Sequence, residues 1–233
     1  MANKNLCTLI IAWSIHIFTA LGVICGFQAL LSALDKEFNS AILWLALALF
    51  IDGVDGSLAR KYKVKEVIPN IDGSILDYII DFFTYVLVPC VILLWFNFLP
   101  KGIDLYLVFG VLICSCYTFS NNNLKTSDFY FSGFPALWNL LVLYLYILET
   151  SEIVNAVIVI ALLVLTFVPI KFVHPFRVIE YRKMNLFLIF LWSVCTLIIL
   201  LEGNDYQSIF YIWVLINLYF IFITFKRSFF HQA

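Results

Sequence analysis

Apolar residues run through this chain in long blocks separated by short polar stretches, with little of the alternation that marks half-buried strands. The blocks cover residues 7–34, 39–59, 74–98, 103–120, 133–149, 152–170, 184–201 and 206–225. Most approach the roughly 20 residues that a helix needs to cross a hydrocarbon core. The pattern predicts an all-α, polytopic integral membrane protein with about eight transmembrane helices, built as a single transmembrane domain over 1–233. The first block is too long for a signal-peptide core and lacks a clear small-residue cleavage site, so it is expected to be retained as a helix.

Composition sharpens that picture. Of the 233 residues 64% are hydrophobic and 12% charged, about half the charged share of an ordinary soluble domain. The net charge of -1 says little about partners, none of them expected to be nucleic acid, and the placement of charge says more than its sum. With both termini in the cytoplasm, twelve of the fourteen basic residues fall on the inner side, among them Lys4, Arg60, Lys61, Lys63, Lys65, Lys125, Arg177 and Arg182. Only Lys36 and Lys101 fall outside, as the positive-inside rule requires. The six cysteines show no paired ligand spacing and read as small buried hydrophobes.

Against this background the acids between residues 52 and 81 stand out. Asp52 and Asp55 are spaced i,i+3 at the end of the second block, and Asp77 and Asp81 are spaced i,i+4 at the start of the third. On helices each pair presents both carboxylates on one face. Residues 61–72 link the two halves, with Pro69 favouring an extended Ile68 and Asn70-Ile71-Asp72 offering capping groups for the next helix. The result is a helical hairpin with four acids near its cytoplasmic mouth.

Gly53, Gly56 and Gly73 are compatible with ordinary close packing of helices, and Asp52-Gly-Val-Asp55-Gly-Ser with a mere turn. Packing does not explain why two more acids reappear after the linker. Acids at membrane depth mark functional sites, and four close together need cations to offset their repulsion. Oxygen donors without Cys or His favour Mg2+ or Mn2+ over Zn2+. Arg60 adds a guanidinium suited to a phosphate, or is simply a cytoplasmic anchor. Spacing alone thus supports phosphoryl or nucleotidyl chemistry on a lipid. A cation-binding transporter is the alternative of another class, although the acids cluster at one membrane face and no internal repeat is evident.

The pattern D-x2-D-G-x2-A-R, a spacer, then G-x3-D-x3-D resembles the CDP-alcohol phosphotransferase family, with Asp52, Asp55, Gly56, Ala59, Arg60, Gly73, Asp77 and Asp81 at its fixed positions. The spacer departs from most members, having twelve residues where about eight are usual. That longer spacer, with the stretches Lys63–Ser74, Asp77–Pro89, Gly133–Asn139 and His174–Arg177, is similar to bacterial members that use choline.

The resemblance implies transfer of the phosphatidyl group of CDP-diacylglycerol to choline with release of CMP, in the bacterial inner membrane. It also implies dependence on Mn2+ or Mg2+ and a homodimer. Asp52, Asp55, Asp77 and Asp81 would lie at the metal, with Asp81 also acting as base toward the choline hydroxyl. Asp52, Gly56, Ala59, Arg60 and Gly73 would bind CDP-diacylglycerol. Serine, inositol or glycerol-3-phosphate remain alternative acceptors within the family.

Tyr78, Phe82, Phe83 and Tyr85 surround the second acidic pair and are candidates to hold the quaternary ammonium of choline through their ring faces. The chain has 24 Phe and 12 Tyr, so core or lipid-facing packing competes with that reading at each position. His16 lacks ligand spacing to any other candidate, and Gly133-Phe134-Pro135 is read as the start of a span with its proline in the first turn.

Overall fold

The computed structural model of the protein describes residues 6–124, 130–173, 182–202 and 207–229. Lys4, Lys125, His174 and Arg177 lie outside them. The chain forms two compact units, one of residues up to Phe98 with Trp138–Leu143, the other of Leu99–Leu137 with Tyr144 onward.

The first unit is built on a hairpin of α1 (Leu6–Leu34) and α2 (Phe38–Lys61), reversed at Lys36, whose φ is 64°. Its packing follows from side-chain size. Helix α1 buries Ala12, Ile15, His16, Thr19, Gly22, Cys25, Gly26, Ala29 and Ala33, steps of three and four that lay a mostly small-residue stripe against its neighbours. The opposite face carries Ile10, Ile17 and Ile24 at seven-residue steps, each more than half exposed, a surface suited to lipid. Helix α2 buries Ala41, Leu45, Ala48 and Ile51, and the stripe continues into Asp55. The acid therefore occupies a packed position, not a solvated one.

The linker contributes more than a polar connection. Residues Val64–Val67 form one turn, α3, and Val64 and Ile68 bury with Ala12 and Ile15 of α1. Ile68 has φ −125°, extended as the following proline favours. Asp72 caps α4 (Gly73–Asp81), its carboxylate accepting the Ser74 amide at 2.9 Å. Helix α4 continues through a π-helical segment, Phe82–Leu87, into α5 (Val88–Trp95), making one rod of 23 residues.

Pro89 accounts for that widened segment. It has no amide proton, and in α-helical register its ring would press on the carbonyl of Tyr85, four residues back. The chain takes a looser turn instead, in which the Val88 amide reaches the Phe83 carbonyl five residues earlier. This rod lies flush on α1. A Cβ at Gly22 would sit 2.8 Å from Ile80, and one at Gly26 would sit 2.7 Å from the Phe83 ring and 2.8 Å from Thr84.

The second unit contains α6 (Asp104–Ser120), β1 (Tyr130–Ser132), α8 (Glu152–Leu165), β2 (Lys171–Val173), α9 (Arg182–Glu202) and α10 (Gln207–Phe229), while α7 (Trp138–Ile147) divides between the units. Strands β1 and β2 pair antiparallel with Phe131 opposite Phe172. Helices α9 and α10 join through Trp213, 1% exposed, whose indole N–H donates to Thr196 Oγ1 at 2.9 Å.

The fifth span begins later than the apolar pattern suggests. The amides of Gly133 and Phe134 donate to the carbonyls of Ile170 and Leu165, and Gly133 takes φ 88°, outside the right-handed helical region. Ala136 takes φ 56°, the helix starts at Trp138, and Pro135 lies outside its first turn.

The protein is an all-α, multi-pass membrane protein. Among the described residues, five helices are long and apolar enough to cross a bilayer: Leu6–Leu34, Phe38–Lys61, Gly73–Trp95, Arg182–Glu202 and Gln207–Lys226. Three shorter apolar helices, Asp104–Ser120, Trp138–Ile147 and Glu152–Leu165, occupy the remaining blocks of the eight-span pattern.

Candidate active site

The last three turns of α2 and the nine residues of α4 carry the acids, and the hairpin brings them together. Asp52, Asp55 and Asp77 each offer a carboxylate oxygen such that the three oxygens lie within 4.8 Å of one another. Asp55 is 5% exposed, while Asp52 and Asp77 are half-buried. Three carboxylates this close, one of them buried, are a costly arrangement unless a cation shares the space. Their donor set is oxygen alone, which matches a hard divalent ion.

Asp81, one turn beyond Asp77, is not in that group of three. It is half-buried and, like Asp52 and Asp77, within electrostatic range of the Tyr85 hydroxyl. The structure thus sets three acids together and a fourth beside them, where the sequence pattern treats the four alike.

Each of the α2 acids meets a hydroxyl from a different helix. Tyr85 donates to Asp52 Oδ2 at 2.6 Å, and the Thr19 hydroxyl lies within hydrogen-bonding reach of Asp55. Arg60, exposed at the end of α2, sends Nη2 to Ser57 Oγ at 3.2 Å and is close enough to act electrostatically on Asp55.

A match to the CDP-alcohol phosphatidyltransferase family extends over residues 16–224, nearly the whole chain. The protein belongs to this family. A phosphatidylcholine synthase of Pseudomonas aeruginosa is 41% identical over 218 residues, 93% of this chain and 92% of that protein. Another from Borreliella burgdorferi is 39% identical over 186 residues, 80% of this chain and 78% of its own length. A third from Legionella pneumophila is 36% identical over 228 residues, 94% and 89% of the two chains.

Family membership makes the protein a phosphatidyltransferase, and the remaining motif residues of this CDP-alcohol phosphatidyltransferase can be placed individually. Gly56 faces the Arg60 guanidinium, where an added Cβ would lie 3.3 Å from Nη1. Ala59 packs at the edge of the apolar cluster formed by Ala12, Ile15, Val64 and Ile68, so its small size serves the fit of α2 to α1 and α3. Gly73 opens α4 against His16, whose Cε1 would be 3.3 Å from a Cβ there.

The four aromatics considered for choline sit in different surroundings. The ring of Phe83 rests on Gly26 of α1, and the hydroxyl of Tyr85, 6% exposed, is committed to Asp52. Tyr78 and Phe82 are half-buried on the rod that carries Asp77 and Asp81.

The contribution of α1 is what sequence reasoning missed. His16 and Thr19, one turn apart, are both 8% exposed and reach Gly73 and Asp55, and His16 Nε2 is buried without a hydrogen-bond partner among the described residues. The signal available was a pair of polar residues at i,i+3 among the small residues of an apolar helix, which places them on the packed face.

Proposed function

We propose that this protein transfers the phosphatidyl group of CDP-diacylglycerol to choline, giving phosphatidylcholine and CMP, in a bacterial inner membrane with the acidic site on the cytoplasmic side. The observation carrying the chemistry is the trio of carboxylates within 4.8 Å, one of them buried, at the mouth of the α2–α4 hairpin. The choice of choline is supported by relatives named phosphatidylcholine synthase, 36–41% identical over most of the chain in the three cases above. The twelve-residue spacer supports the same choice.

In this reading Asp52, Asp55 and Asp77 hold Mg2+ or Mn2+. When bound, such an ion offsets charge on the diphosphate and favours departure of CMP. Arg60 grips the nucleotide diphosphate, where its fork of donors fits phosphate oxygens. Gly56 and Gly73 leave the backbone open to the nucleotide, and Ala59 keeps α2 seated against α1 and α3. The three-plus-one division of the acids gives Asp81 a separate role, accepting the proton of the choline hydroxyl as that oxygen attacks the phosphorus bearing the diacylglycerol. One P–O bond forms to choline, the bridging P–O bond breaks, and CMP leaves with its electron pair. No covalent enzyme intermediate is required.

Tyr78 and Phe82, half-buried on the rod that carries Asp77 and Asp81, are the aromatic faces placed for the choline cation. The match over residues 16–224, which takes in most of both units, supports treating 1–233 as one catalytic domain. A phosphatidylcholine-free bacterial host expressing the protein and fed choline should accumulate phosphatidylcholine, seen by mass spectrometry of its lipids. Accumulation that is equal without choline, or absent from membranes containing the folded protein, would remove the acceptor assignment.

A further inference from the structure

Tyr85 is a buried polar side chain of the site and has no place in the motif. It projects from the π-helical segment, is 6% exposed, and gives its one proton to Asp52 Oδ2 at 2.6 Å, across 33 positions of sequence. We propose that Tyr85 is a positioning residue that locks the Asp52 carboxylate in its metal-binding orientation, and that its ring is not part of the choline site. The inference rests on the reading of Asp52, Asp55 and Asp77 as a metal site.

The backbone explains how the side chain arrives there. In an unbroken α-helix each step of four residues drifts past a full turn, so a residue eight after Asp77 would have rotated well off the acidic face. The π-helical segment holds more residues per turn and turns that drift back. Val88 bonding to Phe83 is the register change, and Pro89 is its cause. Asp77, Asp81 and Tyr85 therefore converge on the same side, with all three acids Asp52, Asp81 and Asp77 acting electrostatically on the hydroxyl.

The hydrogen bond also has a directional consequence. A carboxylate without a partner rotates about its terminal bond, and a donor fixed on one oxygen leaves the other presented at one angle. Outer partners of metal ligands act in this way, and their removal typically weakens metal binding or activity by about 10- to 100-fold. A tyrosine whose hydroxyl is held by a carboxylate and whose body is buried offers little ring face to a quaternary ammonium. Phe83, packed on Gly26, is unavailable for the same purpose.

The test is Mn2+ binding to purified Tyr85→Phe in detergent, read by electron paramagnetic resonance, alongside choline KM. The variant should bind Mn2+ about tenfold more weakly. Choline KM should be unchanged both in it and in Tyr85→Leu, which removes the ring. A KM raised by Tyr85→Leu but not by Tyr85→Phe would return the ring to the choline site. In an Asp52→Asn background, Tyr85→Phe should cause no further loss of Mn2+ affinity, since the partner it acts through is gone. Unchanged Mn2+ affinity would overturn the proposal, whether the variant is fully active, raises choline KM, or merely loses active protein. Wild-type protein that binds no Mn2+ would instead remove the metal site itself, a result distinct from failure of the tyrosine's role.

Discussion

Asp55 and Asp81 have different surroundings, which suits the different roles proposed for them. Asp55 continues the apolar stripe of α2 and is 5% exposed, so ionising it is costly without a nearby positive charge such as Arg60 or the proposed cation. Asp81 stands outside the close group of three oxygens and is half-buried, a placement compatible with the base role proposed for it. Replacing Asp81 with Asn keeps the shape and removes the base. Turnover should fall by roughly 100- to 10,000-fold, the range ascribed to a positioned general base, while Mn2+ binding persists. CMP release and Mn2+ titration of the same preparation check both halves. Full activity in folded protein would take the base role from Asp81.

At the scale of elements, the site depends on how closely α1 receives the rod of residues 73–95. Gly26 allows that approach, and Gly26→Ala would place a methyl 2.7 Å from the Phe83 ring. Overpacking of this kind costs about 1–3 kcal/mol, and the thermal midpoint of the variant in detergent should fall measurably. Activity should fall with it, because the displaced rod carries Asp77, Asp81 and Tyr85. An unchanged midpoint would mean that the rod is not held as described.

Much of this arrangement was legible in the sequence. The i,i+3 and i,i+4 acids, the cap at Asp72 and the helical hairpin all follow from local spacing. Three features did not. Thr19 and His16 join the site only through helix packing, and their i,i+3 spacing in α1 places them on the packed face without naming what that face meets. Tyr85 reaches Asp52 because Pro89 forces a looser turn, so its position could not be projected from α-helical periodicity. The late start of α7 reflects left-handed backbone at Gly133 and Ala136, and the two strands are three residues long in a chain where apolar runs are everywhere.

For the whole molecule, long apolar helices with exposed hydrophobic faces make up most of the described chain, and the acids of the motif gather at one end of the α2–α4 hairpin. That distribution fits an enzyme working on a substrate whose acyl chains stay in the bilayer while its nucleotide is in water. It fits a transporter poorly, since the described acids cluster and do not mark a path. The similarity to the Pseudomonas and Legionella synthases extends over nearly the full chain, which favours one working enzyme. The most direct measurement is CMP release from CDP-diacylglycerol by purified protein with Mn2+ or Mg2+, comparing choline with serine, inositol and glycerol-3-phosphate. Metal-dependent release with choline and little with the others is the expected result. Release with a different acceptor would contradict the choline assignment, and no release with any acceptor from folded protein would contradict the enzyme itself.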